Sequence, residues 1–284
     1  MTQQSQPPKR NPATAARPVP APTASTATVA KISFGQVGLR KRGSKVLLYG
    51  TGGIGKSTLA AALEGRTAFF DLEESLEVLK DELTESGMTV PVTAPAVASF
   101  LELRRALQAD GWNDINNIVI DSITKVEELC AAHTIHTVPH ERGHKVTSIE
   151  GYGFGKGFQF VYDQFLPLLA DLEKHTRAGR NVILIAHECT STVPNPQGDD
   201  WLRYEPRLQN PKSGNASIRL KLKEWVDHML FFSYDIMAKD KKAQGSGTRT
   251  LYCQELPFCM AKSRTCSEAI PIPKGFNPWP MIIK

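Results

Sequence analysis

Acidic residues are missing from the first 63 positions, where nine lysines and arginines stand. The chain as a whole carries +5, so the remainder is at +5 minus +9, a net −4. Basic character therefore belongs to the N-terminal part, and the body is mildly acidic. Large apolar side chains are scarce between residues 1 and 30, which are built from Pro, Ala, Thr, Gln and Ser. Such a stretch cannot offset the entropy of ordering and reads as a disordered tail. A tail without acids can touch nucleic acid or imitate an organelle transit peptide, but its prolines argue against an amphipathic transit helix, and a solvated tail is the preferred reading. Apolar runs stop well short of the ~20 residues that span a bilayer, and no signal-peptide core is present, so the expectation is a cytoplasmic protein with no membrane partner. Cysteine is sparse: Cys130, Cys189, Cys253, Cys259 and Cys266 are odd in number and form no C-x-x-C pair. That speaks against a disulfide framework or a zinc ribbon and for reduced, structural thiols. No internal repeat occurs.

What is present is an alternation of short apolar runs with helical patterns from Lys31 onward, the mark of an α/β domain around a mainly parallel sheet. With 41% hydrophobic residues in 284, the chain can bury a sizeable core. The expected organisation is a tail over 1–30 and one domain over 31–284.

The run Val46-Leu47-Leu48-Tyr49 leads into Gly50-Thr51-Gly52-Gly53-Ile54-Gly55-Lys56-Ser57, followed by Thr58. This satisfies G-x-x-x-x-G-K-[ST] between a strand and a helix, which is the setting a phosphate-binding loop needs. The glycines let backbone N–H groups converge on an anion, Lys56 reaches the β- and γ-phosphates, and the Ser57 hydroxyl is a ligand for Mg²⁺. The helix opening at Lys56 adds its positive end. A Gly-rich turn without nucleotide is the competing account, and the agreement of strand, loop and helix signals disfavours it. ATP with Mg²⁺ is the cofactor pair expected on Gly50 to Thr58.

A second strand, Thr67 to Asp71, runs into Leu72-Glu73-Glu74, and a third, Ile118-Val119-Ile120, ends in Asp121-Ser122. Carboxylates at strand C-termini face the ligand crevice of an open α/β sheet. Asp121 is placed to orient the metal, with a plain helix cap as its alternative. Glu73, Glu74 and Asp71 are rival carboxylates on one edge. A fourth run, Asn181 to Ala186, ends in His187-Glu188 after a long helical stretch from about Phe158 to His175. His187 could hydrogen-bond a phosphate or the attacking water, or serve the structure alone.

In this order the motifs resemble the RecA-like ATPase core, and more narrowly the compact RecA-like ATP-binding proteins of bacteriophages, some of which assist single-strand DNA recombination. The resemblance covers about Lys31 to Trp279 and includes Gly151-Tyr152-Gly153-Phe154-Gly155-Lys156-Gly157. It implies a general-base role for Glu73, a sensor role for His187, and an accessory ATPase of DNA recombination or replication, in a bacterial host's cytoplasm if phage-encoded. A nucleotide-dependent assembly switch with slow hydrolysis is the alternative. The loop also looks like that of partition ATPases, but Thr51 stands where they carry a second lysine. A kinase lid would be richer in Arg than Asp199 to Lys212, which has only Arg203 and Arg207.

The polar segment after His187 holds Trp201, Arg203, Tyr204, Arg207 and Lys212. Aromatic faces stack on bases while cations follow phosphates, so single-stranded DNA is a candidate partner of this long loop. A surface or subunit-contact loop is the blander account, and Asp199, Asp200 and Glu205 weaken the electrostatic case. Phe258-Cys259-Met260-Ala261 reads as a strand before Lys262-Ser263-Arg264. Lys262 and Arg264 resemble the basic pair that ring-forming relatives present to a neighbour's nucleotide, which implies a homo-oligomer with nucleotide at subunit interfaces and a weakly active monomer. Cys130, His133, His136, His140 and His144 recur at metal-like spacing, yet Pro139 and Gly143 interrupt the helix, and a helix end with a loop is the preferred account.

Overall fold

Interior strands with helices on both faces must be apolar on both sides, so they read as continuous rather than alternating runs. In the computed structural model, which describes residues 41–239 and 242–283, strand β1 (Lys45–Gly50) is buried at all its positions. The phosphate-type loop connects it to α1 (Lys56–Ala61). Then come β2 (Thr67–Asp71), α2 (Ser75–Glu85), a two-residue β3 (Val92–Thr93) and α3 (Phe100–Gln108). Next are β4 (Asn117–Asp121), α4 (Ile123–Thr137), a 3₁₀ turn at Glu150–Tyr152, α5 (Lys156–Arg177) and β5 (Asn181–Ala186). The remaining elements are β6 (Glu188–Val193), β7 (Trp201–Pro206), α6 (Ile218–Trp225), β8 (His228–Lys239), β9 (Lys242–Tyr252), β10 (Ile270–Pro271) and α7 (Trp279–Ile282).

Eight strands form one sheet in the order β10-β9-β8-β1-β5-β4-β2-β3. Neighbours from β8 to β3 are parallel, while β9 and β10 add an antiparallel edge. This is the mainly parallel α/β architecture expected from the alternating pattern. Strand β5 lies between β1 and β4, so the phosphate loop and the Asp121 strand are not hydrogen-bonded neighbours. Register aligns Gly50 with Phe232, Tyr49 with Ala186, and Asp71 with Asp121. The loop and the carboxylates thus share the C-terminal edge of the sheet.

Alternate residues of each interior strand serve opposite cores. Leu47, Phe70, Ile120 and Leu184 pack with α3, α4, α5 and α6 through Leu103, Val126, Phe165 and Leu222. Val46, Leu48, Phe69 and Ile183 pack with α1, α2 and the C-terminal segment through Leu59, Leu83, Ile272 and Trp279. Helix α4 leaves the edge at Ser122, whose side chain caps it by accepting from Lys125 N. It runs beside α5, with the Cys130 thiol on the Val161 carbonyl and the Tyr152 hydroxyl donating to Val138 O at 2.7 Å.

Two expectations fail. The polar segment after His187 is not one long loop, because β6 and β7 form a separate two-stranded antiparallel sheet. Phe258 to Ala261 is not a strand; Cys259 makes isolated bridges to Tyr204 and Leu256, and Lys262 makes one to Met229. The tail expected over 1–30 lies outside the described residues. The sheet and its helices belong to one unit, Arg40–Lys284. Among the described residues no helix is long and apolar enough to cross a membrane.

Candidate nucleotide site

The loop after β1 is shaped by positions that reject a side chain. A Cβ on Gly50 would stand 1.9 Å from the Phe232 carbonyl oxygen, so close pairing of β1 with β8 requires glycine there. Gly53 and Gly55 hold φ of 75° and 99°, the left-handed region that glycine enters at little cost. Lys56 is 8% exposed and folds its ammonium back over the loop. Its Nζ donates to Gly50 O at 2.8 Å and to Thr51 O at 2.9 Å. Burial pulls this ammonium below the usual lysine range, while Asp121, Glu188 and Glu73 pull the other way.

Across the crevice, Ser57 Oγ donates to Asp121 Oδ2 at 2.5 Å. The proposed metal pair is therefore in direct contact. Ser75 Oγ lies 3.0 Å from Asp71 Oδ1 and 3.1 Å from Asp121 Oδ2, and its single proton serves one of them at a time. Asp121 is 3% exposed. Burial raises its pKa, hydroxyl hydrogen bonds from Ser57 and Ser75 lower it, and the charges of Glu73 and Asp71 raise it; the net is above the usual aspartate range. A buried carboxylate in that condition, with a hydroxyl oxygen beside it, is a hard-oxygen donor set short of positive charge. It fits Mg²⁺, which binds through one or two carboxylates plus substrate phosphates. Among the described residues no cluster of three or more His, Cys, Asp or Glu could hold a metal alone.

The three rival carboxylates separate by their partners. Asp71 accepts from Ser75 N and Leu76 N, both at 2.9 Å, and so caps α2. Glu74 is the left-handed residue preceding α2 and is exposed. Glu73 meets the tips of β4 and β5 directly: Ser122 Oγ donates to its Oε1, and His187 Nε2 lies 2.9 and 3.1 Å from its two oxygens. Burial pushes the Glu73 carboxyl up, but these hydrogen bonds, with the charges of His187 and Lys56, bring it below the usual glutamate range. His187 is thus on the carboxylate, while its backbone N–H donates to Thr124 Oγ1 at 3.1 Å.

Gly52, Gly53, Ile54, Gly55, Lys56, Ser57 and Thr58 line a cavity of about 680 Å³ together with Glu73, Asp121 and His187. Gly50 ends β1 and Thr51 follows it, and neither lines this cavity. Two side chains that motif reading overlooked also reach the loop. Arg249, on β9, donates from Nη1 to Ile54 O at 2.9 Å across 195 residues of chain, a pairing no local pattern signals. Glu188 accepts from Thr51 Oγ1 at 3.0 Å, and its other carboxylate oxygen is buried without a hydrogen-bond partner. Its place next to His187 at the β5 tip was the available hint.

Other candidates lie elsewhere. Lys262 exchanges backbone hydrogen bonds with Met229 near the start of β8, and Arg264 Nε lies 3.3 Å from Asp227 Oδ1, so neither enters the cavity of its own chain. Arg203 pairs with Glu205 and Glu255, and the Tyr204 ring stacks on Phe231 at 5.1 Å. Those two residues build the β6–β7 hairpin into the body rather than offering free faces. The histidine cluster is divided: Cys130 is buried in α4, His133 faces Phe100, and the His140 and His144 rings lie 3.7 Å apart between centroids, tilted by 30°, in the loop beyond.

A family model described as an AAA domain matches residues 42–265. Among solved structures, the flagellar accessory protein FlaH from Methanocaldococcus jannaschii aligns with a TM-score of 0.38 and 12% identity, over 75% of this chain and 78% of that one. No curated protein matches.

Proposed function

We propose, for a chain that belongs to the AAA domain family, Mg²⁺-dependent binding and hydrolysis of ATP at the loop from Gly50 to Thr58. One observation carries this reading: the Ser57–Asp121 pair and the Glu73 carboxylate, gripped by Ser122 and His187, line one cavity with Lys56. In the proposal the loop N–H groups and the Lys56 ammonium hold the phosphates, and Lys56 exchanges the Gly50 and Thr51 carbonyls for phosphate oxygens. Ser57 and Asp121 would hold Mg²⁺, whose charge offsets that developing on the transferring phosphoryl group. Glu73 takes the proton of the attacking water; the hydrogen bonds that lower its pKa keep it ionised and at the same time make it a weaker base. His187 positions that carboxylate and passes its state to β6.

The finer reading is an accessory ATPase of DNA recombination or replication of phage type, acting in a host cytoplasm as a homo-oligomer. Its support is the order of motifs and the position of Lys262 and Arg264, which leaves them to serve a neighbour's nucleotide or none. A slow switch is the second reading. The engagement of Glu73 by two hydrogen-bond donors favours it, because both lower the basicity that hydrolysis needs.

Phosphate release with and without single-stranded DNA, across protein concentration, separates these readings. An engine of DNA metabolism gives turnover that rises with DNA and more than linearly with protein. Slow turnover indifferent to DNA, with ATP retained, supports the switch and sinks the DNA reading.

A further inference from the structure

Behind the phosphate loop stands a carboxylate that the proposed reaction does not use. Glu188 opens β6, is half-buried, and does not line the nucleotide cavity. Its Oε1 accepts from Thr51 Oγ1 at 3.0 Å. Its Oε2 is buried with no hydrogen-bond partner among the described residues. A carboxylate oxygen withdrawn from water and left unpaired is costly, and an orphaned buried acceptor calls for a reason. A latch on Thr51 is not reason enough, because a neutral amide accepts the same hydrogen bond without the charge.

We propose that Glu188 is a positioning residue that fastens the phosphate loop through Thr51 and, by its negative charge behind the loop, holds down the loop's affinity for the phosphates of the nucleotide; the inference rests on the reading given under Proposed function.

The loop geometry brings this charge close to the phosphate-binding ammonium. Thr51 is gripped from two sides: its hydroxyl donates to Glu188, and its carbonyl accepts from Lys56 Nζ at 2.9 Å. One residue thus separates the carboxylate from the ammonium. Burial lowers the pKa of Lys56, and among the charges that raise it Glu188 follows only Asp121. Phosphates arriving on the loop bring negative charge toward the same carboxylate and compete with it for Lys56. Both effects oppose binding, and buried charges are screened little by salt.

The position of Glu188 is set by its neighbours. His187, immediately before it, donates its N–H to Thr124 Oγ1 at 3.1 Å and accepts from Arg207 N at 2.8 Å, while its ring lies against Glu73. Glu188 itself pairs in register with Pro206 of β7. Consecutive residues after β5 therefore hold opposite sides of the site, His187 the Glu73 carboxylate and Glu188 the loop.

The test is calorimetric titration of the full chain with Mg-ADP, for wild type, Glu188→Gln and Glu188→Asp. The amide keeps an acceptor for Thr51 and removes the charge, so Glu188→Gln should bind Mg-ADP about tenfold more tightly, the scale of one poorly screened charge acting on another at short range. Glu188→Asp keeps the charge on a shorter stem and should bind no more tightly than wild type. A merely structural role would instead weaken binding in both variants. Unchanged or weaker binding by Glu188→Gln, tighter binding by Glu188→Asp, or a Glu188→Gln chain that no longer melts cooperatively would overturn the proposal while leaving the phosphate site standing. A wild type that does not bind Mg-ADP would refute the parent reading.

Discussion

Replacing Asp121 by Asn should stabilise the protein in the absence of ligand and destroy its metal-dependent chemistry, two effects of opposite sign from one atom. The carboxylate is 3% exposed and its pKa lies above the usual range because burial, together with the charges of Glu73 and Asp71, outweighs the hydroxyl bonds from Ser57 and Ser75. A carboxyl with a folded pKa above its unfolded value contributes stability below the unfolded pKa and loses it as pH rises through the folded one. As pH rises through the folded pKa, the ligand-free fold therefore comes to bear the cost of this charge. Asparagine keeps an oxygen for Ser57 and removes the charge. Relief of this kind is worth about 0.5–2 kcal/mol, and a domain of this size shifts its melting midpoint by about 2–4 °C per kcal/mol. Thermal unfolding of the full chain should show Asp121→Asn melting a few degrees above wild type at pH 7.5, with the gap closing as pH falls toward the carboxylate range. Saturating Mg-ATP should reverse the order, since a ligand at 100 times its Kd adds about 2.7 kcal/mol to the wild type, and the variant has lost a metal ligand. A variant that melts lower at pH 7.5 without ligand, or a gap indifferent to pH, refutes the reasoning.

Glu73→Gln should retain ATP while phosphate release falls about 10²–10⁴-fold, the usual worth of a general base; unchanged turnover removes Glu73 from that role. Gly50→Ala drives a Cβ to 1.9 Å from the Phe232 carbonyl and should cost about 1–3 kcal/mol by overpacking, read as a lowered midpoint, whereas a wild-type melt would show that β1 and β8 are not held so closely. Glu205 pairs with Arg203 and with Arg219, which is 6% exposed. Glu205→Gln leaves that buried guanidinium without its counter-charge and should lower stability by about 3–5 kcal/mol in denaturant titration; a loss below 1 kcal/mol would mean that water replaces the carboxylate.

The strands that build the site were legible because each is an apolar run ending in a polar residue. Thr67–Asp71 and Asn181–Ala186 have the bounds that the runs suggest, and α5 exceeds the expected Phe158 to His175 by only two residues at each end. The helix after the loop ends at Ala61, where Asn277 donates to the Ala62 carbonyl and Trp279 to the Leu59 carbonyl. Local sequence carries no trace of those long-range bonds. The β6–β7 hairpin was hidden by its polarity: β6 is a mix of half-buried and exposed positions, β7 is buried only at Glu205 and Pro206, and the segment between them is rich in Asn, Pro, Gly and Asp. Phe258 to Ala261 misled for the opposite reason, since apolarity there reflects burial of Cys259, Met260 and Ala261 in the core without a partner strand along their length. Within the site, motif spacing located Lys56, Ser57 and Asp121. Residue types alone left Glu73, Asp71 and Glu74 as rivals, and the resemblance pointed to Glu73; in the structure Asp71 caps α2 while Glu73 meets Ser122 and His187.

The measurement that bears most directly on the central claim is phosphate release from ATP by the full chain, with Mg²⁺ present or chelated, for wild type and Lys56→Ala. The account predicts Mg²⁺-dependent release that Lys56→Ala abolishes together with ATP binding. ATP that neither binds nor hydrolyses on the wild type, or a Lys56→Ala variant with wild-type turnover, would contradict it.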